Sequence, residues 1–163
     1  MSYHEKKALA GLVTLLLVVV GYCIYAFSSY ANGNTQNDNI KFWAGAILLF
    51  IAVGVIITVI IEIVLYIREY LKILADKNLS KASATQKMKT IFSPDEMDKL
   101  IELKTSKISY AFTGIGFVSA MILVLIGFSA SVMINIIFLS MCVGSFIEGI
   151  AVIYYYKVGV SNE

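Results

Sequence analysis

Four stretches of this sequence run for about 20 residues or more with almost no charge, and that pattern restricts the fold more than any other feature. They extend from Ala8 to Tyr30, from Phe42 to Ile67, from about Ile108 to Phe128 and from about Val132 to Tyr156. A hydrocarbon layer roughly 30 Å thick is crossed by about 20 helical residues at 1.5 Å rise each. Only Glu62 in the second run and Glu148 in the fourth interrupt the apolar character. Lipid offers no hydrogen-bond partner to the backbone, so each run is expected to be a helix. The expected fold is all-α: an integral membrane four-helix bundle of two like-oriented transmembrane hairpins joined by a cytoplasmic helical loop. The hairpins take residues 1–67 and 108–163, the second with a short tail, and the loop takes 68–107. Composition agrees, with 59% hydrophobic residues, 15% charged and a mean hydropathy of +0.82.

Basic residues set the expected orientation, because lysine and arginine accumulate on the side that is not translocated. Of 13 such residues, nine lie between the second and third runs, Lys6 and Lys7 precede the first, and Lys157 follows the fourth. Lys41 alone falls on the other side. Both termini are therefore expected in the cytoplasm of a multi-pass plasma-membrane protein. The polar segment Ala31–Asn39 and the uncharged turn at Ser129–Ser131 then become short outer loops. Lys6 and Lys7 ahead of an apolar stretch resemble a secretory signal, but the apolar core is too long, so the first run is expected to be retained.

The central loop, 68–107, is too small for a core of its own. Ile67, Tyr70, Leu71, Ile73 and Leu74 keep helical spacing, which carries the second helix to about Asp76. Lys77–Thr90 is basic, small and polar and reads as a connector. Ser93-Pro94-Asp95-Glu96 then reads as a capping box, with serine as cap, proline in the first helical position and glutamate three residues on. Asp95 and Lys99 are spaced for an i, i+4 ion pair. Six acids interleave the loop's basic residues, and Phe92 is the one aromatic among the bases from Lys72 to Lys107, so nucleic acid is not an expected partner.

The two hairpins look like copies of one another. Gly54, Thr58 and Glu62 in the second run match Ser140, Gly144 and Glu148 in the fourth, while Thr14, Gly21 and Ser28 match Thr113, Ala120 and Gly127. Helices in lipid associate through small residues and interhelical hydrogen bonds, so the stripes carrying the glutamates should face protein. Counted from the cytoplasmic ends, both acids lie roughly 9 to 13 Å deep. An ionised carboxylate there costs a few kcal/mol, so it takes a cation, stays protonated or reaches water. Glu62 and Glu148, with Thr14, Thr113 and Tyr66 as neighbours, form the candidate intramembrane proton or cation site; helix packing is the structural alternative. No intramembrane lysine or arginine is expected as an ion-pair partner. The small stripe Gly116, Ala120, Gly127, Ser131 serves either a contact within the chain, the favoured assignment, or one between chains.

Catalytic chemistry has little to build on. Cys23 and Cys142 lie inside apolar runs and read as small hydrophobes, and His4 is the one histidine. No metal, cofactor or catalytic residue is expected, nor is any phosphate loop or nucleophile–base set present in the sequence. The stretch Asp95-Glu96-Met97-Asp98-Lys99-Leu100-Ile101-Glu102-Leu103-Lys104, followed by Ser106, Lys107, Ile108, Ser109 and Tyr110, resembles the D-E-x-x-K-L-I-x-x-K lead-in to the third span of an uncharacterised family of small four-span prokaryotic membrane proteins. The resemblance implies the hairpin-pair fold and assigns no activity. The expectation is a non-enzymatic protein acting through helix contacts with itself or another membrane protein, in an accessory, immunity or regulatory role. The alternative is a proton- or cation-coupled transporter or channel subunit using the two glutamates.

Overall fold

The structure is a computed structural model that describes residues 3–31, 39–75, 86, 88 and 92–159. The described residues form four long helices: α1 (Tyr3–Ala31), α2 (Ile40–Ala75), α3 (Glu96–Leu125) and α4 (Ala130–Val158). Each is long and apolar enough to cross a membrane. All four apolar runs are thus helical, and the helices overrun them at one end: α2 reaches Ala75 and α3 begins at Glu96. At 36 residues α2 is about 54 Å long, well beyond a bilayer core. The connector 77–90, apart from Gln86 and Met88, and the loop 32–38 lie outside the described residues.

Helix ends follow the local chemistry. Asn39 opens α2, its side-chain oxygen accepting from the backbone N–H of Lys41 and Phe42. The cap of α3 is Asp95, two residues later than the serine expected. Asp95 Oδ1 accepts from Asp98 N at 2.7 Å and Asp98 Oδ2 accepts from Asp95 N at 2.9 Å, a reciprocal capping box. Aspartate caps as well as serine does, and Asp98 rather than Glu96 stands in the third position. The cap occupies the Asp95 carboxylate, and the expected Asp95–Lys99 ion pair does not form among the described pairs. Between α3 and α4 the turn is closed by Phe128 N to Leu123 O and Gly127 N to Val124 O, with Gly127 at φ +104°. This is a Schellman termination, and its left-handed position needs glycine.

Cross-helix contacts fix the topology. His4 meets Tyr156, Leu12 meets Gly149 and Tyr22 meets Phe138, so α1 and α4 are antiparallel. Tyr30 stacks on Trp43 while Lys6 reaches Glu69, which makes α1 and α2 antiparallel, and Gly116 faces Ser140 in the α3–α4 pair. The hairpins therefore share one orientation, as expected. The end where α1 begins and α4 finishes is called basal here. α4 is the hub, packing against each of the other three helices, and α3 packs chiefly on α4. The core lies in the apical half, where Tyr22, Trp43, Phe138 and Cys142 are buried. Most other large apolar side chains are exposed on the outer faces, from Phe146 at 36% to Leu125 at 86%, where bilayer lipid is the matching solvent.

Candidate functional site

Each glutamate is held by its own hairpin. On α2, Gly54 faces Val18 of α1, Thr58 donates to the carbonyl of Gly54, and Glu62 pairs with Lys7 Nζ at 3.1 Å. On α4, Ser140 abuts Gly116 of α3, Gly144 abuts Ser109, and Glu148 Oε1 accepts from Ser106 Oγ at 3.1 Å. The two glycine-and-hydroxyl stripes thus both face the odd-numbered helix of the same hairpin. The expectation that they face protein is met, and small residues bring the helices close enough for the acids to find partners.

No lysine or arginine lies within the apolar runs, but Lys7, one residue ahead of the first, reaches Glu62 from outside it. The sequence places Lys7 just ahead of the first apolar run and Glu62 well inside the second, but the helices are staggered. With Gly54 against Val18 and Phe50 against Tyr22, the register sets Glu62 opposite Ala10, within reach of the long Lys7 side chain. The pair is half-exposed, at 48% and 41% for the two side chains. Farther down, Lys6 and Lys72 both bind Glu69 Oε1, at 2.9 and 3.0 Å. Two consecutive lysines of α1 therefore tie two glutamates one heptad apart on α2.

The five residues expected at the site divide between clefts. Glu62 and Thr14 line an apolar cleft of about 460 Å³ between α1, α2 and α4. Thr14 is buried, and its hydroxyl donates to the carbonyl of Ala10 rather than to the acid. Glu148 and Tyr66 line a different, more polar cleft of about 570 Å³ at the basal end. Thr113 lines neither; its hydroxyl stands where a Cβ on Gly144 would come within 3.3 Å. The structure brings Glu62 to Thr14 and Glu148 to Tyr66, and it does not gather the five into one chamber.

Sequence reasoning missed Ser106 and Lys7. The register that matches Thr14 to Thr113 also matches Lys7 to Ser106, so the repeat itself held the signal. It missed the basal network as well: the Tyr156 hydroxyl donates to Asp98 Oδ1, and His4 Nε2 lies 3.6 Å from Asp98 Oδ2. Asp98 sits outside the apolar run of α3. Burial alone would raise its carboxyl, but the Tyr156 hydroxyl, the Asp95 N–H and nearby His4 hold it below the ordinary carboxylate range. Among the described residues no three His, Cys, Asp or Glu side chains gather as a metal site. Gly116, Ala120 and Ser131 of the small stripe are buried within the chain, with Gly127 in the turn. Compared with protein-family models, curated proteins and solved structures, the chain matches none.

Proposed function

We propose that the chain is a small non-enzymatic protein of a prokaryotic plasma membrane, similar to the four-span family whose third-span lead-in it resembles, that acts through helix contacts with itself or another membrane protein. Both termini and the segment between the hairpins face the cytoplasm, on the strength of the basic residues gathered there. An accessory, immunity or regulatory role fits such a protein. The observation that carries this reading is the pairing of each glutamate inside its own hairpin, Glu62 with Lys7 and Glu148 with Ser106. Acids so placed pin helices, and Glu62 and Glu148 line different clefts. The outward faces of α2 and α3 supply apolar area for lipid or for a partner's helices.

Isolation of the protein from native membranes after photo-crosslinking, with crosslinkers placed at exposed Ile56 on α2 and Ile115 on α3, tests the reading. A discrete crosslinked species, with itself or with one protein, is expected; crosslinks to lipid alone would sink it. The transport alternative has one specific observation in its favour, the acid Glu62 at an apolar cleft. It requires a proton or cation flux in liposomes that Glu62→Gln and Glu148→Gln abolish while leaving the fold intact.

A further inference from the structure

The basal cleft brings together residues from all four helices and from the segment ahead of α3. Its aromatic wall is made by Tyr3, Tyr66, Phe92 and Tyr156. The Phe92 ring lies 4.5 Å from that of Tyr66 and 5.1 Å from that of Tyr3, and His4 stacks on Tyr156. Three carboxylates line the same space, Asp98, Glu102 and Glu148. Among the described residues, the basic side chains lining it are Lys7, whose ammonium is committed to Glu62, and His4, which lies beside Asp98. Neither Glu102 nor Glu148 is matched to a lysine or arginine in the described ion pairs. The described lining therefore carries a negative excess against aromatic faces, in a volume typical of small-molecule sites.

That combination selects one class of ligand. An anion would meet the carboxylates, and a neutral apolar molecule would strip their water without replacing it. A bare metal ion prefers gathered oxygen ligands, and no such set forms among the described residues. A cation with an apolar body satisfies both halves of the wall, since aromatic faces attract positive charge while accepting hydrocarbon. We propose that the basal cleft binds a small organic cation, with the rings of Tyr66, Phe92 and Tyr156 holding its body and Glu102 and Glu148 countering its charge. Occupancy would join all four helices at one end, independently of any partner protein.

The probe is benzyltrimethylammonium, titrated into the full chain in dodecylmaltoside micelles, which carry no cation of their own, with empty micelles subtracted and neopentylbenzene as the neutral isostere. Saturable binding of the cation and none of the isostere are expected. Glu102→Gln and Glu148→Gln should each weaken binding about tenfold, and Phe92→Leu about threefold. Glu148 also holds Ser106, so if Glu148→Gln unfolds the protein, Glu102→Gln decides, because Glu102 is exposed. Absence of saturable binding, equal binding of the isostere, or undiminished binding by folded Glu102→Gln would each overturn the proposal.

Discussion

The two hairpins have the same layout and hold together differently. In the second, a Cβ on Gly116 would lie 2.0 Å from the Cβ of Ser140, and one on Gly144 would lie 2.8 Å from the carbonyl oxygen of Ser109. Those backbones touch nearly directly. In the first, Gly54 has 3.3 Å to a methyl of Val18 and Gly21 has 3.5 Å to the ring edge of Phe50. Side chains intervene there, a cleft remains, and ion pairs from Lys6 and Lys7 bind the basal ends. A close seam relies on dispersion and needs only a serine for its glutamate, whereas a loose seam recruits charge.

The contrast is easiest to break at Gly116. Gly116→Ala should destabilise the protein by about 3 kcal/mol, because neither backbone can yield to the added methyl. Gly144→Ala should cost about 1 to 2 kcal/mol for the same reason at a longer contact. Gly54→Ala, its counterpart in the loose seam, should change stability by no more than about 0.5 kcal/mol, since Val18 can shift. Unfolding by sodium dodecyl sulfate in mixed micelles, followed by circular dichroism, measures all three. Equal losses at Gly116 and Gly54 would show that the seams do not differ.

Charge gives a sharper test of the first hairpin. Lys7→Met should cost about 0.5 to 1 kcal/mol, modest because the pair is half-exposed, and adding Glu62→Gln should recover most of it by removing the orphaned acid. A double variant as unstable as the sum of the two singles would mean that the groups do not interact. The smallest effect expected is with pH. The Asp98 pKa is depressed in the folded state, so its contribution is fully present above the unfolded value of about 3.9 and fades as pH falls through the lower folded value. Asp98→Asn should flatten that acid limb and leave stability at neutral pH nearly unchanged in slope; an unaltered limb would assign it to other carboxylates.

The hairpins were legible in the sequence because charge-free length is what a bilayer selects, and hydropathy reports it directly. The helix overruns were partly legible: Ile73 and Leu74 kept the helical period, so the end of α2 was foreseen within a residue. What failed was stagger. Nothing in the run from Ala8 to Tyr30 says how far α2 slides along it, so Lys7, counted as outside the layer, could not be matched to Glu62, counted as inside it. Ser106 was assigned to the loop for the same reason. The cap moved from Ser93 to Asp95 because both residue types cap well and only the reciprocal bond with Asp98 decides between them. The basal cleft was illegible, since Tyr3, Tyr66, Phe92 and Tyr156 come from four distant segments.

The Gly127 turn bears on how the chain enters a bilayer. Nothing charged lies between the start of the third apolar run and Glu148, and the turn itself is four residues long, 126–129, with the N–H groups of Ile126, Gly127 and Phe128 and the carbonyl of Ser129 already bonded. In the proposed orientation, with both termini cytoplasmic, the leading tip of the second hairpin would present little polarity to the lipid it crosses, so α3 and α4 are suited to insertion as a closed pair. The first hairpin would then carry Asp38 and Lys41 through with its loop. Biogenesis of the two halves should therefore differ in their need for help, with the insertion machinery most needed by the half that comes first.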